Sequence, residues 1–160
     1  FMGEQLIIND KLNYIANACI VRLSNVFGKY SLHKKSVVHQ FLKFYFKKKK
    51  LLIHDTGAQK RDLIYAGEVV NEILKLTKLK KFNKNIYEIS KKNTISINEL
   101  KILIDQITNV KNNFKRIKAP MGYDTRVEKK KINTNKKYIK YLNKRLLSVL
   151  NWYRQQSKFL

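Results

Sequence analysis

Short runs of branched apolar residues take turns with longer stretches whose apolar positions recur three and four apart, and this alternation constrains the fold of the chain most. Residues 2–13 place Met2, Leu6 and Ile7 on one side of a short helix, and 15–23 form an apolar run that predicts a buried strand. A loop around Gly28 fills 24–35. Residues 36–46 carry Val37, Val38, Phe41, Leu42 and Tyr45 at helical spacing, followed by four lysines that suit a helix C-terminus. LLIHD predicts a strand, TGAQKRD a turn at Gly57, and LIY a further extended piece. Glu68–Leu79 predicts a helix with Val69, Val70, Ile73, Leu74 and Leu76 inward. NIYEIS reads as a strand, and Ser96 with Glu99 three residues on is a capping box for a helix reaching Val110. NFKRIK predicts a strand, and 135–156 two short helices. The order defines an α/β chain with at least partly parallel pairing, and no composition shift divides its 160 residues.

Composition narrows the function classes. Lys+Arg 35 against Asp+Glu 11 gives a net charge of +24, which raises a basic nucleic-acid-binding module as the alternative function. Yet 29 lysines stand against 6 arginines, spread through the chain and accompanied by abundant isoleucine and asparagine. Base readers rely more on the arginine fork, so a compositional origin with lysines dispersed over the surface is expected. The single Cys19 excludes a disulfide framework and a cysteine-based zinc cluster. No apolar run reaches the length of a membrane helix, so no membrane partner is expected. His33, His39 and His54 have no metal-ligand spacing and read as surface or satisfied histidines; no metal site is expected.

The five glycines stand singly, so no phosphate-cradling loop occurs, and local chemistry assembles no complete active site: no catalytic residue is assigned. Two loops stand out. RLSNVFGKY carries Asn25, Gly28 and Tyr30, with Lys35 at the next helix start, and TGAQKRDLIY delivers the pair Arg61-Asp62. Both follow strands, where α/β folds place their ligand crevices, and Arg, Lys and Asn together suit a diphosphate with its sugar. An ordinary turn with a local Arg61-Asp62 pair fits the spacing equally well.

R-x-x-N-V-F-G (22–28), followed about thirty residues on by T-G-x-Q-x-R-D-x-I-Y-x-x-E-V-V (56–70), resembles the extended short-chain dehydrogenase/reductase family, the NAD-dependent nucleotide-sugar epimerases and dehydratases. NIYEIS with ISINEL, GYDTR (122–126) and LNWY (150–153) keep the same order. Lys29, Gly67-Glu68, Glu88, Ser90 and Pro120 depart from the family pattern. The resemblance implies that residues 1–160 are the C-terminal half of such an enzyme, without a clear internal boundary. The half comprises the end of a Rossmann-like parallel sheet plus the smaller α/β substrate-binding lobe. It implies NAD or NADP as cofactor, a nucleotide diphosphate-sugar as substrate, no specific nucleic acid and a cytoplasmic setting, and leaves a homodimer open for the full-length enzyme. The glycine-rich NAD loop and the Tyr-x-x-x-Lys pair are then expected upstream of Phe1, and these residues alone are expected to be inactive and poorly soluble.

The same resemblance implies the site residues. Asn25 would touch the sugar nucleotide near the reacting ring. Lys34 and Lys35 would meet the pyrophosphate from the helix start. Arg61 would grip the diphosphate while Asp62 is structural. Arg126, beside Asp124, would be a late diphosphate arginine. Arg22, Ser24 and Asn25 would skirt the nicotinamide end of the cofactor.

Overall fold

The computed structural model describes residues 2–9, 18–82, 85–111, 113–121 and 135–156. Its helices and strands, in chain order, are α1 (Met2–Ile8), β1 (Ile20–Leu23), β2 (Asn25–Phe27), α2 (Val37–Phe46), β3 (Leu51–His54), β4 (Lys60–Arg61), β5 (Leu63–Tyr65), α3 (Ala66–Leu76), β6 (Ile86–Ile89), β7 (Ile95–Ser96), α4 (Ile97–Thr108), β8 (Phe114–Ile117) and α5 (Lys136–Gln155). Three ladders are parallel, β1 with β6, β2 with β5 and β3 with β8, and the short β4·β7 ladder is antiparallel. The expected α/β class and its parallel pairing are therefore present. The remainders of the first expected helix and strand, 10–13 and 15–17, lie outside the described residues.

Two hydrophobic clusters hold these elements. In β3, Leu51 and Ile53 are buried while Leu52 is exposed, the period of a strand with one face on the core. They meet Phe41 and Leu42 of α2, Leu100 and Ile104 of α4, and Leu142, Leu146, Val149 and Leu150 of α5 in the main cluster. Full burial of each such side chain stabilises the fold by about 1.5–3 kcal/mol. Ile64, Val69 and Ile89, with Val21 and Val26 against them, form a smaller cluster where α3 covers β5 and β6.

The α4 start is the capping box expected from the sequence. Glu99 N–H donates to Ser96 Oγ at 3.1 Å and Ser96 N–H donates to Glu99 Oε2 at 2.8 Å. Four expectations need correction. Residues 25–27 are not loop but strand β2, because β5 offers them a parallel ladder. Residues 60–61 leave the expected turn to pair with β7. Residues 135–156 hold one 20-residue helix rather than two, since its apolar stripe runs unbroken from Tyr138 to Tyr153. In α3, Val69 is buried but Val70, Ile73 and Leu74 are 54%, 36% and 52% exposed, because no described element covers that side.

The α5 helix also completes β5. Leu63 N–H donates to the Tyr138 hydroxyl at 2.7 Å, which donates back to the Leu63 carbonyl at 3.0 Å, and Tyr65 N–H donates to the Tyr141 hydroxyl at 2.8 Å. Two phenols thus satisfy backbone groups that a further strand would otherwise pair. Burial raises both phenol pKa values, that of Tyr141 to about 12, so the hydroxyls keep their protons across ordinary pH.

His39 is 1% exposed; its Nδ1 shares a 2.8 Å hydrogen bond with the Tyr153 hydroxyl. Burial, then the charges of Lys43, His33 and Lys34, pushes its pKa down to about 4. The unfolded chain binds that proton near pH 6.5 and the folded chain does not, so stability falls as pH drops from 6.5 towards 4. The loss approaches about 3 kcal/mol over that window, at about 1.4 kcal/mol per pH unit. Urea unfolding at pH 7 and pH 5 checks this. His39→Leu should flatten the dependence, and an unchanged slope in that variant would refute a neutral buried His39.

Candidate functional site

The β2·β5 ladder brings the two motif loops side by side. Asn25 pairs in register with Leu63, and Asn25 N–H donates to the Asp62 carbonyl at 2.9 Å. This pairing sets Asn25 beside Arg61, which β4 fixes opposite Ile95 of β7. The start of α2 closes the third side. The result is a crevice of about 250 Å³ lined by Asn25, Lys35, Arg61, Ser36 and the first α2 residues, Val37 and Val38, with Phe27 and Leu63 among its apolar walls. Ser36 is the N-cap of α2 and spends no side-chain hydrogen bond on capping, so the positive end of the helix opens onto this crevice. Arg61 is half-buried, with Nη1 donating to the Lys60 carbonyl at 2.9 Å, which anchors one edge of the guanidinium.

Asp62 serves the other side of the strand. Its carboxylate accepts from Lys91 N–H at 3.0 Å, Asn93 N–H at 3.3 Å and Ser24 Oγ at 3.3 Å, binding the β6–β7 connection to the β1–β2 corner. An ordinary turn would need no more of these two residues than a local pair. In the fold they divide the work: Arg61 lines the crevice, and Asp62 ties two distant segments together.

Gly57 makes the turn that delivers this pair. Its φ is +70°, and an added Cβ would overlap the Asn98 amide and stand 2.9 Å from Ile53 Cγ2. Asn98 in turn holds the turn from α4, its N–H donating to the Gly57 carbonyl at 3.0 Å. Gly57→Ala is expected to destabilise the protein by about 2 kcal/mol or more, from left-handed strain plus overpacking. Denaturant titration measures it, and a loss below about 0.5 kcal/mol would mean that the turn relaxes without cost.

The remaining site residues distribute as follows. Lys34 is exposed and outside the crevice lining; its carbonyl accepts from Lys43 Nζ at 3.0 Å. Arg126 and Asp124 lie outside the described residues. Arg22 is held by Glu4 at 2.7 Å, the ion pair tying β1 to α1, and it stands opposite Glu88. Ser24 donates to Asp62. Of the residues expected beside the cofactor, Asn25 alone lines the crevice. No glycine-rich loop occurs in the sequence, so these residues include no cradle of that kind for the pyrophosphate of NAD.

A second hollow of about 190 Å³ shares Lys35 and Val37 with the crevice lining and is otherwise lined by Gln40, Phe41 and Phe44 of α2 and Leu52 and His54 of β3. Sequence reasoning missed these residues as part of a site. Their signal was present: Leu52 and His54 alternate on the outer face of β3, and Val37, Gln40 and Phe44 share one face of α2.

An α/β lobe whose paired strands and helix start gather Asn, Lys and Arg around a crevice has the arrangement in which α/β folds place their ligand crevices, at strand ends. The model of the NAD dependent epimerase/dehydratase family matches residues 1–90, and the chain belongs to that family. No curated protein matches the chain in sequence. Among solved structures it is similar to UDP-glucuronic acid 4-epimerase from Bacillus cereus in complex with UDP-glucuronic acid and NAD. That match has a TM-score of 0.76 and 18% identity, covering 96% of this chain and 50% of that one. UDP-N-acetylglucosamine 4-epimerase from Methanobrevibacter ruminantium matches with TM-score 0.67 and 19% identity over 85% of this chain and 46% of its own. dTDP-glucose 4,6-dehydratase from Bacillus anthracis matches with TM-score 0.69 and 18% identity over 88% and 46%. The chain spans about half the length of these structures, and at such identities the likeness establishes the extended short-chain dehydrogenase/reductase fold. No helix among the described residues is long and apolar enough to cross a membrane.

Proposed function

We propose that residues 1–160 are the substrate-binding half of an NAD- or NADP-dependent nucleotide-sugar epimerase or dehydratase of the cytoplasm, and that they act as one unit. The convergence of Asn25, Lys35 and Arg61 with the start of α2 in one crevice carries this reading. Two cations and a helix N-terminus favour a diphosphate, and a guanidinium can hold two of its oxygens at once. Asn25 supplies a neutral donor and acceptor for a sugar hydroxyl. The adjoining hollow around Gln40 and His54 lengthens the site so that a ligand larger than a diphosphate fits along α2. The dinucleotide, when bound, supplies transient oxidation of the sugar at C4; this chain's own residues bind and orient, and that positioning is itself catalytic. The protein as its gene encodes it should be incubated with UDP-glucose, UDP-glucuronic acid, UDP-N-acetylglucosamine and dTDP-glucose, and the products followed by NMR. Inversion at C4 or formation of a 4-keto-6-deoxy sugar from at least one of them is expected. Absence of both conversion and binding for all four would overturn the proposal.

A further inference from the structure

At the far end of α2, about 15 Å from the crevice by the rise of a ten-residue helix, lies a third hollow of about 550 Å³. Its wall on one side is apolar, formed by Tyr45, Phe46 and Val110. Its rim is cationic: Lys48, Lys49 and Lys50 come from the turn after α2, and Lys111 from the chain after α4. All four lysines are exposed. We propose that this hollow is a second ligand site, distinct from the crevice, for a small phosphorylated aromatic molecule such as a nucleoside diphosphate.

Three observations support it. First, the ammonium groups of these lysines are not used to cap α2. Its last carbonyls are taken by backbone donors: Lys48 N–H donates to Tyr45 at 3.1 Å and Lys49 N–H donates to Phe44 at 2.9 Å, with Lys48 in the left-handed region at φ 51°. That turn fans three consecutive lysines around the mouth. Second, the charge there is uncompensated. Lys75 pairs with Glu72, Lys91 with Glu68 and Lys101 with Asp105, whereas among the described residues no carboxylate pairs with any of these four, which stand together at one mouth. Gathering like charges costs free energy that a polyanion would relieve. Third, the rings accompany the charge. Tyr45 and Phe46 meet edge to face with centroids 5.0 Å apart, and Phe46 stacks at 5.8 Å on Tyr153, so the wall is fixed by the core. A bare phosphate would leave that wall unused, while a planar base would cover it. The volume lies in the range of small-molecule sites.

The test uses the protein as its gene encodes it, with ADP and inorganic pyrophosphate as probes, read as shifts of the Tyr45 and Phe46 ring resonances. ADP should move both rings saturably and bind at least about five-fold tighter than pyrophosphate. The double variant Lys49→Glu/Lys50→Glu and the single variant Lys111→Glu, from separate segments of the rim and all at exposed positions, should each weaken ADP at least about ten-fold. Arg61→Ala should leave it within about two-fold, which separates this site from the crevice. Unchanged ADP affinity in both lysine variants would overturn the proposal. So would ring shifts abolished by Arg61→Ala, or pyrophosphate binding as tightly as ADP. Single-stranded oligo-dT bound more tightly than ADP through the same lysines would replace it with a nucleic-acid surface.

Discussion

Arg61→Ala is expected to lower kcat/KM for the nucleotide sugar about ten-fold or more. Arg61 is half-buried and lines the crevice with Lys35, and Nη1 is tied to the Lys60 carbonyl, so the guanidinium is aimed by β4 rather than by a flexible stem. A charge-assisted hydrogen bond of this kind contributes about 1.5–3 kcal/mol, which corresponds to about 10- to 150-fold. Arg61→Lys should recover only part of the loss, because an ammonium keeps the charge but not the fork. The split between constants is informative. A higher KM at constant kcat assigns Arg61 to uniform binding of the diphosphate, while a fall in kcat assigns it to orientation of the sugar. Asp62→Asn makes the contrast: its carboxylate holds Lys91 and Asn93 N–H groups, so the variant should lose stability by about 1–3 kcal/mol before it loses affinity. Steady-state kinetics with an unchanged kcat/KM for Arg61→Ala would remove Arg61 from the site.

The second large effect concerns the 160 residues produced alone. They should show no NAD-linked turnover of nucleotide sugars and no tight NAD binding. Their sequence contains no glycine-rich loop to seat the cofactor's pyrophosphate. The same residues leave apolar surface bare: Met2 and Leu6 of α1 are 82% and 67% exposed, Leu23 of β1 47%, and α3 shows Val70 and Leu74. Among the described residues β1 pairs only with β6, so its other edge is open. Poor solubility alone is therefore expected, together with recovery of both folding and turnover on co-expression with a polypeptide carrying a glycine-rich loop and a Tyr-x-x-x-Lys helix. Measurable turnover by the purified 160-residue chain would refute this and place the catalytic groups among residues whose role is otherwise to hold the fold.

What was legible in the sequence is what repeats locally. The α/β alternation, α2, the capped start of α4 and the strand at Leu51–His54 each rest on a periodicity or a cap that nearby residues complete among themselves. The motif pair singled out Asn25, Lys35 and Arg61, which the fold brings to one crevice, because a glycine turn and an adjacent Arg-Asp pair leave a local imprint. Elements of two or three residues leave none. β2 and β4 exist because β5 and β7 offer them hydrogen bonds, and no period can register in so short a run. Likewise only the folded chain decided that Asp62 gathers backbone donors from the β6–β7 connection, that two α5 tyrosines complete the edge of β5, and that Gln40 and His54 line a hollow beside the crevice. Each of these depends on partners well separated along the chain, brought together by burial of the core rather than by any preference of the segment itself.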